Sequence, residues 1–476
     1  MRRTASAFAL ALALSAGAAI AAPVAPPANE PPPPADVHPE LRAIAQAVRP
    51  AELKDTLTTL VGFGTRHTLS ETTSATRGIG AARRWVKARF EAISKDCGGC
   101  LEIVTPSQVV TGPRIPRPTA VQDVVAILRG TSDPQRVIVI TGHLDSRVTD
   151  IMNATADAPG ADDDGSGTAA VIEAARVLSR YRFPATLVFG VDSGEEQGLY
   201  GGKVLADYAV AHGWQVEADL NNDIIGGITG EDGVIDNTTI RLFSQGLKST
   251  LTPRQLRLLN YTGGEVDSPS RNLARFIATL APRYVDNLHV RLIYRTDRYE
   301  RGGDQVEFLD AGYPAVRFTE RSENYTHEHQ DVRTVDGQQY GDVLAGVDFP
   351  YLAKVTALNA VAMAALARAP APPAGVAIGG AVSVDTTVRW QPVPGAVGYR
   401  VWWRDTTAPA WQHSRWVAAD AATRDKDGVL GFTLDKVNID DWFFGVSAVS
   451  ADGYASPVVF PGPNGDFARR VTAAKH

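Results

Sequence analysis

The spacing of hydrophobic positions along this chain of 476 residues changes from one region to the next. Between residues 38 and 94, apolar side chains recur at three- and four-residue steps, a spacing that predicts helices. Short, continuous apolar runs bounded by turn residues follow at 124–128, 137–140 and 187–191. Such runs are typical of strands that are buried on both faces. The first part of the chain therefore combines helices with a buried sheet.

A helical stretch at residues 168–180 lies between the second and third apolar runs. This strand, helix, strand order predicts an α/β fold, with a mostly parallel mixed sheet and helices on both faces. In such folds, ligands bind beyond the C-terminal ends of the strands. A last helix, at about 349–367, closes an α/β domain that we place at residues 37–367.

The pattern changes again after a Pro-rich linker at residues 368–375. From there to about residue 450, apolar and polar positions alternate with a period of two, with turn residues between the runs. This alternation predicts an all-β sandwich over residues 376–476. Its V-x-W, G-Y-x-V and F-x-V-x-A-V-S motifs resemble those of a fibronectin type III module.

The N-terminal segment has the pattern of an export signal. Arg2 and Arg3 precede a 16-residue apolar run, and the small residues Ala19 and Ala21 suit cleavage after position 21. We therefore predict a signal peptide at 1–21, a Pro-rich linker at 22–36, and a protein that is exported to the periplasm or the medium. In an oxidising compartment, Cys97 and Cys100 are expected to form a local disulfide.

Composition limits the classes of partner. With 47 basic and 53 acidic residues the net charge is −6, which argues against nucleic acid or an anionic membrane as a main partner. The apolar run near the N-terminus is too short to span a bilayer. Only two cysteines and nine histidines are present, so a metal site would depend on carboxylates and a few imidazoles.

Candidate metal ligands follow the predicted strands. The second strand leads into G-H-L-D-S, and the two-residue spacing in an extended segment puts His143 and Asp145 on one side, where Asp145 can orient the imidazole. The sequence P-G-A-D-D-D-G-S-G comes next, before the helix at 168. Three adjacent carboxylates repel one another unless a cation or a helix N-terminus offsets their charge. A helix cap accounts for one of them but not for all three.

The third strand leads into a loop with two adjacent acids, Glu195 and Glu196. Neighbours in an extended loop point in opposite directions, so one can bind a metal while the other faces the metal-bound water. Asp223 follows another apolar stretch, and E-N-Y-T-H-E-H-Q-D supplies His327 and His329. Each feature is a weak signal alone, but together they form an ordered series.

In this order, the series resembles the ligands of the two-zinc exopeptidases of the bacterial leucyl aminopeptidase and glutamate carboxypeptidase type. The resemblance spans roughly residues 55–365. Its motifs are G-H-L-D-S, P-G-A-D-D-D-x-S-G and E-E-x-G-L-x-G, with R-H-T-L-S and R-G-I-G-A-A-R-R-W-V nearer the N-terminus.

The resemblance implies a role for each matching residue. His143 and Asp223 would bind one Zn²⁺, Glu196 and a late histidine the other, and Asp163 would bridge the two. Glu195 would act as the general base, and Asp145 would support His143. The family also has a cis peptide bond after its bridging aspartate, here after Asp163.

Two positions are less direct matches. The family pattern H-x-x-x-D favours His327 as the late histidine, because Asp331 stands four residues beyond it, and leaves His329 as an alternative. Asp304 matches a family S-D-H segment, but Gln305 stands where that segment has histidine. We therefore expect Asp304 only to support the site.

The expected function is hydrolysis of N-terminal residues from peptide substrates by an exported zinc aminopeptidase. A carboxypeptidase or dipeptidase on the same metal core is the alternative, with Arg298, Arg301 and Arg317 as candidates to bind a substrate carboxylate. The fold also serves as a non-catalytic interaction domain where the ligands are lost, but here every expected ligand type is present. The C-terminal sandwich is expected to attach the protein to a surface or polymer, to dock substrates, or to act as a spacer.

Overall fold

The computed structural model describes residues 38–468, which belong to one compact unit. The predicted signal peptide and the Pro-rich linker at 22–36 lie outside the described residues. The helices are α1 (Pro39–Ala47), α2 (Pro50–Gly62), α3 (Gly78–Asp96), α4 (Gly165–Leu178), α5 (Tyr200–Ala211), α6 (Pro253–Thr262), α7 (Pro269–Tyr284), α8 (Gln305–Asp310) and α9 (Phe349–Arg368), with a 3₁₀ turn at Leu344–Gly346. The strands are β1 (Leu101–Val104), β2 (Ser107–Gly112), β3 (Ile115–Gln122), β4 (Val124–Leu128), β5 (Asp133–His143), β6 (Ala185–Asp192), β7 (Gln215–Asn222), β8 (Thr239–Ser244), β9 (His289–Ile293), β10 (Ala315–Glu320), β11 (Arg333–Val335), β12 (Gln338–Tyr340), β13 (Ala377–Gly379), β14 (Thr386–Trp390), β15 (Ala396–Asp405), β16 (His413–Ala418), β17 (Thr423–Arg424), β18 (Leu430–Leu434) and β19 (Trp442–Ser450).

An eight-stranded mixed sheet in the order β1-β4-β6-β5-β7-β10-β8-β9 forms the centre of the α/β region. Strand β5 pairs in parallel with β6 and β7, and β10 pairs in parallel with β7. Strands β1, β4 and β8 add antiparallel pairings toward the edges. The predicted α/β fold, with a mixed sheet and helices on both faces, is confirmed.

Alternation along β5 divides the core into two layers. Ile138 and Ile140 face a large hydrophobic cluster that also contains residues of α1 to α4, α7 and α9. Val137 and Val139 face the opposite cluster, which α5 and α8 cover. Helix α9 is the one described helix whose length and hydropathy would also suit a membrane span, but most of it is buried in this core.

Local signals explain where the helices begin. Pro39 and Pro50 stand at the first positions of α1 and α2, which divide the predicted helical region into separate elements. Helix α4 begins at Gly165, earlier than the predicted residue 168, because the Asp164 side chain accepts the main-chain N–H of Gly167 and caps the helix.

The C-terminal region forms two antiparallel sheets, β13-β14-β18-β17 and β16-β15-β19. Side chains of both sheets, among them Trp390, Tyr399 and Val446, share one hydrophobic core. The predicted resemblance to a fibronectin type III module stays a prediction.

A buried ion cluster joins this C-terminal region to the α/β region. Asp267 is fully buried and accepts hydrogen bonds from Arg275, at 2.7 Å, and from Arg404 of β15, at 2.6 Å. The predicted disulfide between Cys97 and Cys100, which lies between α3 and β1, is confirmed.

Candidate metal centre

The candidate residues meet at one edge of the sheet. Strand β5 ends at His143, the loop after β6 carries Glu195 and Glu196, and Asp223 follows β7 directly. These three strands are adjacent and parallel, so their C-terminal ends lie side by side. The sheet topology thus brings together residues that are up to 80 positions apart in the sequence (223 − 143).

Two groups of potential metal ligands form at this edge. The first group contains His143, Glu195 and Asp223. Each of these residues offers one ligand atom, and the three atoms lie within 4.8 Å of one another. In the second group, Asp163, Glu196 and His329 meet the same distance limit.

Asp163 faces both groups. One of its carboxylate oxygens lies 3.1 Å from Nε2 of His143, and the other lies 2.8 Å from Nε2 of His329. Nε2 of His329 is also 3.2 Å from Oε1 of Glu196. The peptide bond between Asp163 and Asp164 is cis, as the family resemblance implied. A carboxylate with one oxygen toward each group has the arrangement of a bridging ligand.

The expectation that His327 belongs to the second group is wrong, because the structure brings His329 there instead. Residues 324–329 form a tight turn, in which the main-chain N–H groups of His327 and Glu328 both donate to the carbonyl oxygen of Asn324. His329 has a left-handed backbone with φ of 58°, which redirects the chain at this residue. The imidazole of His327 lines a neighbouring cavity, where burial lowers its pKa.

Asp145 holds the loop after β6 as well as His143. Its carboxylate accepts the main-chain N–H groups of Gly194, at 2.8 Å, and Glu196, at 3.2 Å. Nδ1 of His143 lies 3.0 Å from the main-chain oxygen of Asp145 and 3.6 Å from its carboxylate. The Thr68 hydroxyl also donates to this carboxylate at 2.8 Å. Sequence reasoning gave Thr68 no role, although the R-H-T-L-S motif marked its position.

Arg147 contacts two members of the second ligand group, and the sequence alone gave it no role. Its Nε donates to Oε2 of Glu196 at 2.8 Å, and another of its nitrogens contacts Nδ1 of His329. The signal available in the sequence was its position directly after G-H-L-D-S. Arg147 therefore holds two members of the second group in place.

The arginines proposed to bind a substrate carboxylate have different environments. Arg317 is fully buried and pairs with Asp223, at 2.9 Å, and with Asp297, at 3.2 Å, so it is inaccessible to a substrate. Gln305 donates to the same Asp297, which assigns it a structural contact. Asp304 accepts the main-chain N–H of Gly202 at 3.1 Å and belongs to neither ligand group.

Arg298 and Arg301 do line the candidate catalytic cleft, a space of about 340 Å³ over the two ligand groups. Arg114 and Arg147 complete its basic lining, and Glu195 and Glu196 are among its acidic residues. Three of these arginines are paired with carboxylates: Arg147 with Glu196, and Arg298 and Arg301 with Glu323.

The electrostatics and the donor atoms of the site suit a cation. Burial, with repulsion from Asp223 and Glu196, raises the pKa of Glu195 well above its usual value. Although burial opposes the change, Glu196 and Asp163 raise the pKa of His329 to about 11. The buried Nε2 of His143 and Oε1 of Glu196 make no well-directed hydrogen bond in the described region, and each lies within 3.2 Å of another potential metal ligand. Imidazole nitrogens and carboxylate oxygens are donors that zinc accepts.

The chain is similar in sequence to a known peptidase family and to named metalloproteases. The model of peptidase family M28 matches residues 123–343, which contain all members of both ligand groups. A probable zinc metalloprotease of Pyrenophora tritici-repentis is 42% identical over 92% of this chain and 90% of its own length. Another, of Pyricularia oryzae, is 44% identical over 89% of this chain and 84% of its own length.

Among solved structures, LapB of Legionella pneumophila matches with a TM-score of 0.49 and 19% identity, over 70% of this chain and 76% of its own. The family membership rests on the sequence relatives, which cover nearly the whole chain at more than 40% identity. The chain therefore belongs to peptidase family M28, among relatives that carry the name probable zinc metalloprotease.

Proposed function

We propose that this protein is a zinc aminopeptidase that removes N-terminal residues from peptides. The observation that carries the proposal is the position of Asp163, whose two oxygens face His143 and His329 at 3.1 and 2.8 Å. His143 and Asp223 would hold one Zn²⁺, Glu196 and His329 the other, and Asp163 would bridge them. When bound, two zinc ions lower the pKa of a shared water and polarise the scissile carbonyl.

We assign the proton transfer of the proposed reaction to Glu195. It belongs to the first ligand group and lines the catalytic cleft, so its carboxylate meets both the metal region and an incoming substrate. In the proposed reaction, Glu195 takes a proton from the attacking water and passes it to the leaving amine. Asp145 keeps Glu195 in place through the main-chain N–H groups of its loop.

The arginines of the catalytic cleft favour a second candidate, a carboxypeptidase or dipeptidase. Exposed Arg114 donates to the main-chain oxygen of Glu196 at 3.0 Å, next to the second ligand group. A guanidinium there suits a substrate carboxylate. We favour the aminopeptidase because Arg147, Arg298 and Arg301 already pair with carboxylates of the protein.

One activity panel separates these candidates. Purified protein, loaded with zinc or treated with a chelator, is offered amino-acid arylamides and N-blocked peptides with free C-termini. The aminopeptidase proposal predicts zinc-dependent hydrolysis of the arylamides. Hydrolysis of the blocked peptides alone would favour the carboxypeptidase, and absence of bound zinc with no hydrolysis would favour a non-catalytic interaction domain.

We also propose that the chain is exported and that the C-terminal region contacts a surface or polymer or docks substrates. The support is the pattern of a signal peptide in residues 1–21 and the alternating strands after residue 376. Mass spectrometry of the mature protein tests the first point, because cleavage after position 21 leaves Ala22 at the N-terminus. A mature chain that retains Met1 would contradict export through this signal.

A further inference from the structure

A second cavity adjoins the metal centre and differs in charge from the catalytic cleft. It has a volume of about 580 Å³ and shares Asp163 with the cleft, so the two spaces meet at the proposed bridging ligand. The other acidic residues that line it are Asp162, Glu231, Glu320, Glu328, Asp342 and Asp348. None of the described residues that line it is lysine or arginine. We call this space the acidic cavity.

The protein backbone fixes part of this acidic lining. The main-chain N–H of Gly226 donates to Oδ1 of Asp162 at 2.8 Å, and that of Gly227 donates to Oε2 of Glu320 at 2.6 Å. A side chain at Gly227 would collide with both carboxylates, since its Cβ would lie 2.4 Å from Glu320 and 2.9 Å from Asp162. The absence of a side chain at this position lets the backbone approach both acids.

Glu328 has an oxygen that lacks a partner. The residue is only 8% exposed, its Oε1 contacts Arg301, and its Oε2 has no hydrogen-bond partner in the described part of the chain. A buried carboxylate oxygen without a donor is costly. Glu328 lines the acidic cavity, so a donor that reached its buried Oε2 from this space would satisfy that oxygen.

The rest of the lining suits the stem of a long basic side chain. Ile224, Ile228 and Val347 supply apolar surface between the acids. Lysine and arginine pack their methylene stems on apolar surface and direct the charged end to polar groups. A space of about 580 Å³ accommodates such a side chain.

The metal centre sets the direction of a bound peptide. A substrate whose scissile bond lies over the two ligand groups extends to both sides of Asp163. Both sides carry acids, but among the described residues only the cleft side carries arginines, namely Arg114, Arg147, Arg298 and Arg301. The end of a peptide that bears an ammonium group is therefore attracted to the cavity side.

We propose that the acidic cavity receives the side chain of the substrate's N-terminal residue and selects lysine or arginine there. This proposal rests on the proposed aminopeptidase function and adds a substrate class to it. The charged end of the side chain donates to Oε2 of Glu328 and to the neighbouring carboxylates of the cavity.

The test compares the zinc-loaded enzyme on lysine, arginine and norleucine arylamides, because norleucine keeps the length of lysine without its charge. We expect kcat/KM to be about 10- to 100-fold higher for lysine than for norleucine, the range of a hydrogen bond to a charged group. Glu328→Gln should lower this ratio by about 10-fold. Its matched control, Glu265→Gln, is exposed, lines neither the acidic cavity nor the catalytic cleft, and should leave the ratio unchanged.

A second variant covers the case in which Glu328→Gln fails to fold. Thr229 is exposed and lines the acidic cavity, so Thr229→Lys adds a positive charge without disturbing the core. It should also lower the ratio for lysine over norleucine. An unchanged ratio in folded Thr229→Lys, or a wild-type enzyme that prefers norleucine, would overturn the proposal.

A measurement of binding without turnover distinguishes failure of the cavity assignment from failure of the aminopeptidase assignment. Calorimetry measures the binding of free L-lysine and L-norleucine to the zinc-loaded protein without any turnover. If no arylamide is hydrolysed but lysine binds at least about 10-fold more tightly, the aminopeptidase assignment fails and the cavity assignment stands. If arylamides are hydrolysed without preference for basic residues and the two amino acids bind equally, only the cavity assignment fails.

Discussion

Replacement of Asp219 by asparagine should stabilise the protein in a way that depends on pH. Asp219 lies in β7 and is fully buried. The Thr141 hydroxyl donates to its Oδ1 at 3.0 Å, and its Oδ2 has no hydrogen-bond partner among the described residues. Burial raises the pKa of this carboxyl group from 3.8 to about 8.

The sign and size of the effect follow from this pKa. The folded state keeps the proton up to a pH of about 8, whereas the unfolded chain releases it near 3.8. Stability is therefore lost as the pH rises between these values, by up to about 1.4 kcal/mol per pH unit. At pH 7 the loss reaches about 4 kcal/mol as an upper bound. Asparagine removes this loss but buries an amide N–H₂ without an acceptor, which costs about 1–3 kcal/mol.

We therefore expect Asp219→Asn to raise the free energy of unfolding by about 1–3 kcal/mol at pH 7. The gain should shrink, and then reverse, as the pH falls toward 4. Urea denaturation in zinc-containing buffer at several pH values measures both proteins, and zinc binding largely cancels in their difference. Exposed Asp310→Asn is the control, with a small effect at every pH. A difference between Asp219→Asn and wild type that stays constant from pH 5 to 7.5 would refute the reasoning.

Other predictions address the metal centre and the ion cluster at Asp267. Glu195→Gln should keep its zinc, by elemental analysis, but lose at least about 100-fold in turnover, because only proton transfer is removed. His329→Ala should lose zinc, whereas His327→Ala should retain it; equal zinc content in both would contradict the proposed ligand set. Asp267→Ala leaves two buried guanidiniums unpaired and should cost about 3–5 kcal/mol in urea denaturation. Asp207→Ala, at an exposed ion pair, should cost no more than about 1 kcal/mol.

Much of the α/β fold could be predicted because its strands are buried on both faces. Strand β4 was predicted with the observed bounds, since Val124–Leu128 is a continuous apolar run with all five residues buried. The hairpin of β2 and β3 was not predicted, because twelve of the fourteen residues in its strands are exposed or partly exposed. The spacing of hydrophobic residues predicts a strand only where one or both of its faces are buried, and this hairpin buries few side chains.

The candidate site also has a part that the sequence could predict and a part that it could not. Motifs that follow buried strands located His143, Glu195, Glu196 and Asp223, because a strand end fixes where the next residues lie. The late histidine lies in a turn, where spacing does not determine direction. The left-handed backbone at His329 decided the choice between the two histidines, and no pattern in the sequence reported it.

The sequence by itself determined the fold class, the edge of the sheet that carries the site and the chemical types of its ligands, because each of these follows from local burial and residue type. Tertiary structure alone decided which side chains meet. It placed His329 rather than His327 beside Asp163, buried Arg317 against Asp223, and separated an acidic cavity from an arginine-lined cleft. Distances between side chains that are far apart in the chain depend on how turns and layers pack, and a linear pattern carries little information about that packing.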